Sequence, residues 1–196
     1  ILILQEVEDK ASLMDFNSMF LREYDISPYE QVLVLEGNDG RGLSMGILTK
    51  NGYRLDAVKS HGLDFLDRAD PIFDIDCQEY TITTPEGETL YILSSQFSPD
   101  NESKRKIQSR KVAAIYDKMK AEGKELILVC GTLNDVSYSD CLSPLLRETD
   151  LEDVSRNSRC KVDKDKGKDA GYFRMGAYRM GVNIKQKDYM LLSFEM

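Results

Sequence analysis

Leu126-Ile-Leu-Val-Cys-Gly-Thr-Leu-Asn-Asp135 runs five apolar residues through a glycine into Thr, Asn and Asp. Such a run is the pattern of a strand covered on both faces, and its polar end is where a buried strand presents chemistry. Just before it, from about Ser103 to Ala121, Ile107, Val112, Ile115 and Met119 fall near one helical face, and Gly123 stands where that helix stops. The chain opens in the same way as the strand. Ile1-Leu-Ile-Leu-Gln-Glu-Val7 is an apolar run that ends on a polar pair.

Between these strands the pattern is of hairpins. A helix is expected after Val7, with Asp9 or Ser12 as N-cap and Leu13, Phe16, Met19 and Phe20 at helical spacing. Gln31–Glu36 and Leu43–Thr49 read as strands around Gly37-Asn-Asp-Gly-Arg-Gly42, and Asn51-Gly52 as a following turn. Glu79–Thr84 and Thr89–Ser94 flank Pro85-Glu-Gly-Glu88, a second hairpin. The polar stretch Arg156–Asp169 reads as a loop, and Tyr172–Arg179 with Asp188–Phe194 as closing strands. Strands outnumber helices, which predicts an α+β fold with mostly antiparallel sheets.

Composition narrows the function. The 196 residues carry 26 Lys and Arg against 34 Asp and Glu, a net charge of −8, with one His and four scattered Cys. The acidic balance and the lack of a basic stripe disfavour nonspecific binding to long nucleic acid. No apolar run approaches the roughly 18–20 residues of a membrane helix. One histidine excludes any mechanism that needs two imidazoles. The cysteines lack zinc-ligand spacing or a disulfide framework, which favours a reducing, cytoplasmic compartment. Cys130, inside an apolar run, reads as a buried small hydrophobe. Ile1 is not preceded by the basic stretch of a signal peptide, which leaves a removed leader open.

Three motifs in order, Ile3-Leu-Gln-Glu-Val7, Leu126–Asp135 and Lys187-Asp-Tyr-Met-Leu-Leu-Ser193, resemble those of the endonuclease/exonuclease/phosphatase (DNase-I-like) superfamily. Asn38-Asp-Gly-Arg-Gly-Leu43 and the helix start Arg105–Arg110 resemble its bacterial branch. The resemblance implies a four-layer α/β/β/α sandwich over residues 1–196, one domain without the family's first strand and closing Ser-Asp-His. It also implies Mg²⁺- or Mn²⁺-assisted hydrolysis of a phosphate ester, nucleic acid among the substrates.

Carried over residue by residue, Glu6 takes the metal-binding place, the alternative being a solvated Glu past a strand end. Asn134 takes the place that orients phosphate and attacking water. Asp135 after it is a loop-capping position, and Asp188 matches an Asp that holds a terminal His. Arg41 is read either as facing a phosphate or as pairing with Asp39 in a turn. Arg105, Lys106 and Arg110 with Lys111 are read as a lip for an anion or a solvated helix face. His61 is read as a surface or loop histidine.

The departures are as informative as the matches. The family's Gly-Asp-x-Asn is here Gly131-Thr-Leu-Asn134, which puts Thr132 in the place of the general base. Ser95-Gln96-Phe97 stands where the family has an Asn-His pair, so Gln96 replaces a catalytic His. A threonine hydroxyl has no useful basicity near neutral pH, and Gln donates only a neutral hydrogen bond. The implied catalytic set, Asn134, Thr132, Gln96 and Asp188 with Glu6 for metal, is that of an impaired or lost phosphoesterase, or of a noncatalytic binding module on the same fold.

Overall fold

The computed structural model describes residues 1–67, 69–156 and 186–195. A three-stranded sheet is formed by β1 (Leu2–Val7), β2 (Gln31–Glu36) and β3 (Ser44–Thr49) in the order β1-β3-β2. A six-stranded sheet has the order β4-β5-β6-β7-β9-β8, with β4 Arg54–Ser60, β5 Cys77–Thr83, β6 Thr89–Ser95, β7 Ile127–Thr132, β8 Glu152–Asp153 and β9 Asp188–Leu192. Within it β6 and β7 are parallel and the other pairs antiparallel.

The period of two sorts the side chains into four layers. Ile3, Leu33 and Ile47 of the small sheet meet Tyr80, Ile82, Ile92, Leu128 and Cys130 of the large one. The opposite faces carry the helices. Leu2, Leu4 and Leu48 pack on Leu13 of α1 (Lys10–Asp15). Leu93, Val129 and Leu191 pack on Val112, Tyr116 and Met119 of α3 (Glu102–Ala121). The expected α/β/β/α sandwich is therefore present. Burial of Cys130 between the sheets pushes its thiol up to about 12, which leaves it inert as a nucleophile.

The helices follow their caps. Asp9 is the N-cap of α1 and accepts from the Ser12 N–H at 2.6 Å. α1 then widens into a π-helical segment, Phe16–Phe20, before α2 (Leu21–Glu23). Buried Asn17 sits in that segment, with its amide bonded to the N–H and C=O of Tyr29 at 2.7 and 3.0 Å. Asn101 caps α3 through the Lys104 N–H, and Gly123 beyond its end has φ +82°. A short α4 (Ser143–Leu146) and a 3₁₀ turn, Val154–Arg156, complete the helices among the described residues.

Both expected hairpins form: β2 pairs with β3, and β5 pairs with β6 in register from Cys77↔Ser95 to Thr83↔Thr89. Strand β4 has no counterpart in the sequence reading, and its pairing explains why. The β4–β5 register slips by one residue between Leu55 and Ala57, so its inward residues Leu55 and Val58 stand three apart and no alternation shows. The loop expected over 156–169 lies beyond Arg156 outside the described residues, as do Cys160 and the strand expected over Tyr172–Arg179. No helix among the described residues is long and apolar enough to cross a membrane.

One glycine is obligatory. Gly131 has φ +138°, and a Cβ there would lie 1.9 Å from the Ser95 carbonyl oxygen and 2.4 Å from Gln5 Nε2. Backbone cannot yield as a flexible side chain does, so Gly131→Ala is expected to cost on the order of 3 kcal/mol or more of folding stability. Urea unfolding measures it. Gly87→Ala, at a positive-φ turn with nothing within 4 Å of the added Cβ, is the milder control.

Candidate phosphoester site

Strand directions bring several polar ends to one rim. The C-terminal ends of β6 and β7 lie beside the N-terminal ends of β5 and β9, as Cys77↔Ser95 and Thr132↔Asp188 show. The end of β1 joins them through its side chains. β1 contains a bulge: Leu4 faces Gly46 but Val7 faces Ser44, so one extra residue is inserted, and Glu6 takes φ +57°. A bulge re-aims side chains at the place where a strand stops pairing. Alternation with Ile3 already points Gln5 toward the large sheet, and the bulge leaves the following Glu6 on the rim.

Gln5 is the joint between the sheets. Its Nε2 donates to the Ser95 carbonyl at 2.9 Å, and its Oε1 accepts the Thr132 N–H at 3.0 Å. Regular β6–β7 pairing ends at Ser94↔Cys130, one step below these groups. The amide of Gln5 thus stands in for the next rung of the ladder, in the space that Gly131 leaves open. Beyond it the Phe97 N–H returns to the Thr132 carbonyl at 2.9 Å.

Glu6, Gln96, Thr132, Asn134 and Asp188 all reach this rim. Gln96 Nε2 donates to Glu6 Oε1 at 2.9 Å. Thr132 Oγ1 donates to Asp188 Oδ1 at 2.6 Å. Asn134, with φ +54°, donates from Nδ2 to the Phe97 carbonyl at 2.8 Å, next to Gln96. Arg41 lies at the near side, 3.8 Å from Glu6 Oε1, but its guanidinium is held by Asp39 at 2.7 Å. Side-chain hydrogen bonds from Arg41 hold the Asp39 carboxyl below its usual range. The turn pairing left open by the sequence is therefore made, and Arg41, 66% exposed, still faces the rim.

Arg105 is neither an anion lip nor a solvated residue. It is largely buried, bonded to Asp135 at 3.2 Å and to the carbonyls of Ser98 and Pro99 at 3.1 and 3.0 Å. Asp135 caps its loop by accepting from the Val136 N–H and the Ser139 hydroxyl. His61 follows β4 in a loop but is buried, with Nδ1 2.8 Å from Asp64 and Nε2 2.6 Å from Glu79. Its neighbours Asp76 and Gln78 are fully buried and bonded to each other.

Metal ligation was tested against the donors present. Among the described residues no three His, Cys, Asp or Glu side chains gather as a metal cage. Glu6 offers one carboxylate, 51% exposed. Beside it Gln96 Oε1 is buried without a partner among the described residues. One carboxylate with water around it fits hydrated Mg²⁺, which takes one or two carboxylates and keeps several waters, and does not fit a zinc site.

No family model matches the chain, and no curated protein matches it by sequence. Solved structures match its fold. The human Nocturnin catalytic domain aligns with TM-score 0.66 at 12% identity, over 98% of this chain and 68% of that one. An endonuclease/exonuclease/phosphatase from Bacteroides vulgatus aligns with TM-score 0.63 at 12% identity, over 98% and 72%. Sphingomyelinase C from Streptomyces griseocarneus aligns with TM-score 0.60 at 16% identity, over 98% and 70%. The chain is thus a DNase-I-like sandwich. The likeness is one of architecture, shared among others with an endonuclease/exonuclease/phosphatase.

Two measurements follow from this geometry. Gln5→Met keeps the volume but leaves the Thr132 N–H and Ser95 C=O without their partner. It is expected to cost about 2–6 kcal/mol, at about 1–3 per orphaned group, and to speed hydrogen exchange at the Thr132 amide. For Asp135, burial raises the carboxyl, but bonds from Val136 and Ser139 with the charge of Arg105 outweigh it and hold it below the usual carboxylate range. A depressed value contributes stability present above the unfolded value and lost as pH falls through the folded one. The stability gap between the native chain and Asp135→Asn should therefore be full above about pH 5 and shrink below pH 4 in urea melts.

Proposed function

We propose that this chain recognises a phosphate ester at the rim and hydrolyses it slowly or not at all, as a descendant of Mg²⁺-dependent phosphoester hydrolases. The observation that carries the reading is the Thr132–Asp188 bond of 2.6 Å. The position that a base would occupy holds a hydroxyl whose proton is already directed at a carboxylate.

The chemistry left to the side chains is recognition. Glu6 would hold Mg²⁺ or Mn²⁺, which when bound supplies positive charge against phosphate oxygens. Asn134 has a second amide hydrogen besides the one given to Phe97, and it donates to a phosphate oxygen. Arg41 adds a guanidinium, partly neutralised by Asp39, with the fork geometry that suits phosphate. Gln96 keeps Glu6 in place and can offer only a neutral hydrogen bond to the transition state. A missing general base costs about 10²–10⁴-fold and a missing charged donor about 10²–10³-fold, so hydrolysis is reduced severely while binding is not.

The neighbours' names support the phosphate-ester class: one is an endonuclease/exonuclease/phosphatase and one a sphingomyelinase. A noncatalytic binding module is the second reading. It is favoured by the way the rim groups satisfy one another, Gln96 with Glu6, Thr132 with Asp188 and Arg41 with Asp39.

The test is hydrolysis of bis(p-nitrophenyl) phosphate with Mg²⁺ or Mn²⁺. Thr132→Asp with Gln96→His should raise turnover by about 10²-fold or more over the native chain, and adding Glu6→Ala should remove the gain. Failure of the folded double variant to turn over supports the binding module. Native turnover equal to that of the variant would overturn the impaired reading.

A further inference from the structure

On the far face of the large sheet, where β4 and β5 meet α3, lies a cleft of about 530 Å³ that the rim does not share. Its size is that of small-molecule pockets, which run roughly 300–1,000 Å³. Its charge is unlike the rest of this acidic chain. Four lysines line it, Lys59, Lys111, Lys118 and Lys124. Three carboxylates serve all four. Glu79 accepts from Lys59 at 2.7 Å and lies 4.0 Å from Lys124. Glu122 lies 3.1 Å from Lys124 and 3.8 Å from Lys118, and Asp64 is 2.8 Å from Lys111.

The histidine sharpens this surplus. His61 lines the same cleft, its side chain only 7% exposed, with one ring nitrogen on Asp64 and the other on Glu79. Asp64 and Glu79 are thus divided between His61 and the lysines, and each ammonium keeps donors to spare. Burial alone would raise both carboxyls, but the bonds from Lys111, Lys59 and His61 outweigh it and hold them low. Both therefore stay ionised at neutral pH, and with Glu122 they make three carboxylates against four ammoniums, a surplus of one positive charge. The floor is apolar, with Ile115 and Met119 of α3.

The geometry points to this cleft as a second binding site, for a phosphate group bridged by Lys59, Lys111 and Lys118. Lysine is a phosphate binder that acts as a point charge, and several converging ammoniums suit a dianion that no single guanidinium fork needs to orient. The phosphate arrives free or as the end of a small ester whose organic part covers Ile115 and Met119. The site is independent of the rim and of what the rim does.

His61 is the chain's single histidine, so its ring resonances report on this cleft alone. Inorganic phosphate and phenyl phosphate are titrated into the full chain at constant ionic strength while the His61 ring ¹H–¹⁵N signals are followed. The expected result is a saturable shift with a Kd on the order of 1 mM, weakened at least about tenfold in Lys111→Gln/Lys118→Gln. The same shift in Glu6→Ala separates this site from the rim. Tighter binding of phenyl phosphate identifies the ester, and tighter binding of inorganic phosphate the free anion. A shift that follows chloride equally, never saturates, or persists in the lysine variant overturns the site. Lys118 is 72% exposed and Lys111 32% exposed. An unfolding midpoint close to native shows that the variant is folded, and Lys118→Gln alone gives a second reading if it is not.

Discussion

The amide of Gln5 is the contact on which the rim depends. Two sheets packed through apolar faces are held at a spacing set by side-chain volume, and such packing is indifferent to small slides along the strands. Hydrogen bonds are not indifferent. By accepting from Thr132 N–H and donating to Ser95 C=O, Gln5 fixes β1 against both β6 and β7 at one residue each. Those residues adjoin the other rim groups: Glu6 follows Gln5, Gln96 follows Ser95, and Thr132 is itself on the rim. The 2.9 Å bond between Glu6 and Gln96 is possible because the preceding pair is already in register. Gly131 and the β1 bulge are the two backbone concessions that admit the amide.

Much of the fold was legible because its cores are deep. The apolar run at 126–130 marks a largely buried strand, whereas the run at 1–4 marks a strand that is only partly buried. The Pro85–Glu88 turn and the Gly123 stop are local signals that no tertiary contact overrides. What escaped has physical causes. β4 lies at the sheet edge with a bulge that breaks its period. The π-helical widening at Phe16 follows from an Asn17 bond to Tyr29, twelve residues on, which no local pattern contains.

The site was legible in its parts and not in its pairings. Glu6, Thr132, Asn134 and Asp188 stand out as polar residues at strand ends. Sequence alone does not say that Thr132 bonds Asp188 or that Gln96 bonds Glu6, since these are contacts over 56 and 90 residues. Gln5 is less legible because it forms half of a polar pair at a strand end, where both residues look solvated. Its signal was present: an amide just before the Glu, where an alternating strand puts a core residue. Arg105 and His61 show the converse. A polar residue in a basic or loop segment is expected to be solvated, yet Arg105 is largely buried against Asp135, and His61, in a loop as expected, is buried against Glu79.

The rim carries its own argument about activity. A catalytic site holds groups whose hydrogen-bonding capacity is reserved for substrate and transition state, and the cost of leaving them unpaired is met elsewhere in the fold. Here Thr132, Arg41 and Gln96 each donate to a neighbouring carboxylate. Such pairing stabilises the free protein and raises the barrier to any step that must break it. A base at position 132 would place a second carboxylate against Asp188, and like charges that close raise one carboxyl toward neutrality. Threonine removes that repulsion and turns it into a hydrogen bond. On the proposed reading, threonine at this place favours stability over reactivity where the two sheets are locked together, as expected of a domain that serves recognition rather than turnover.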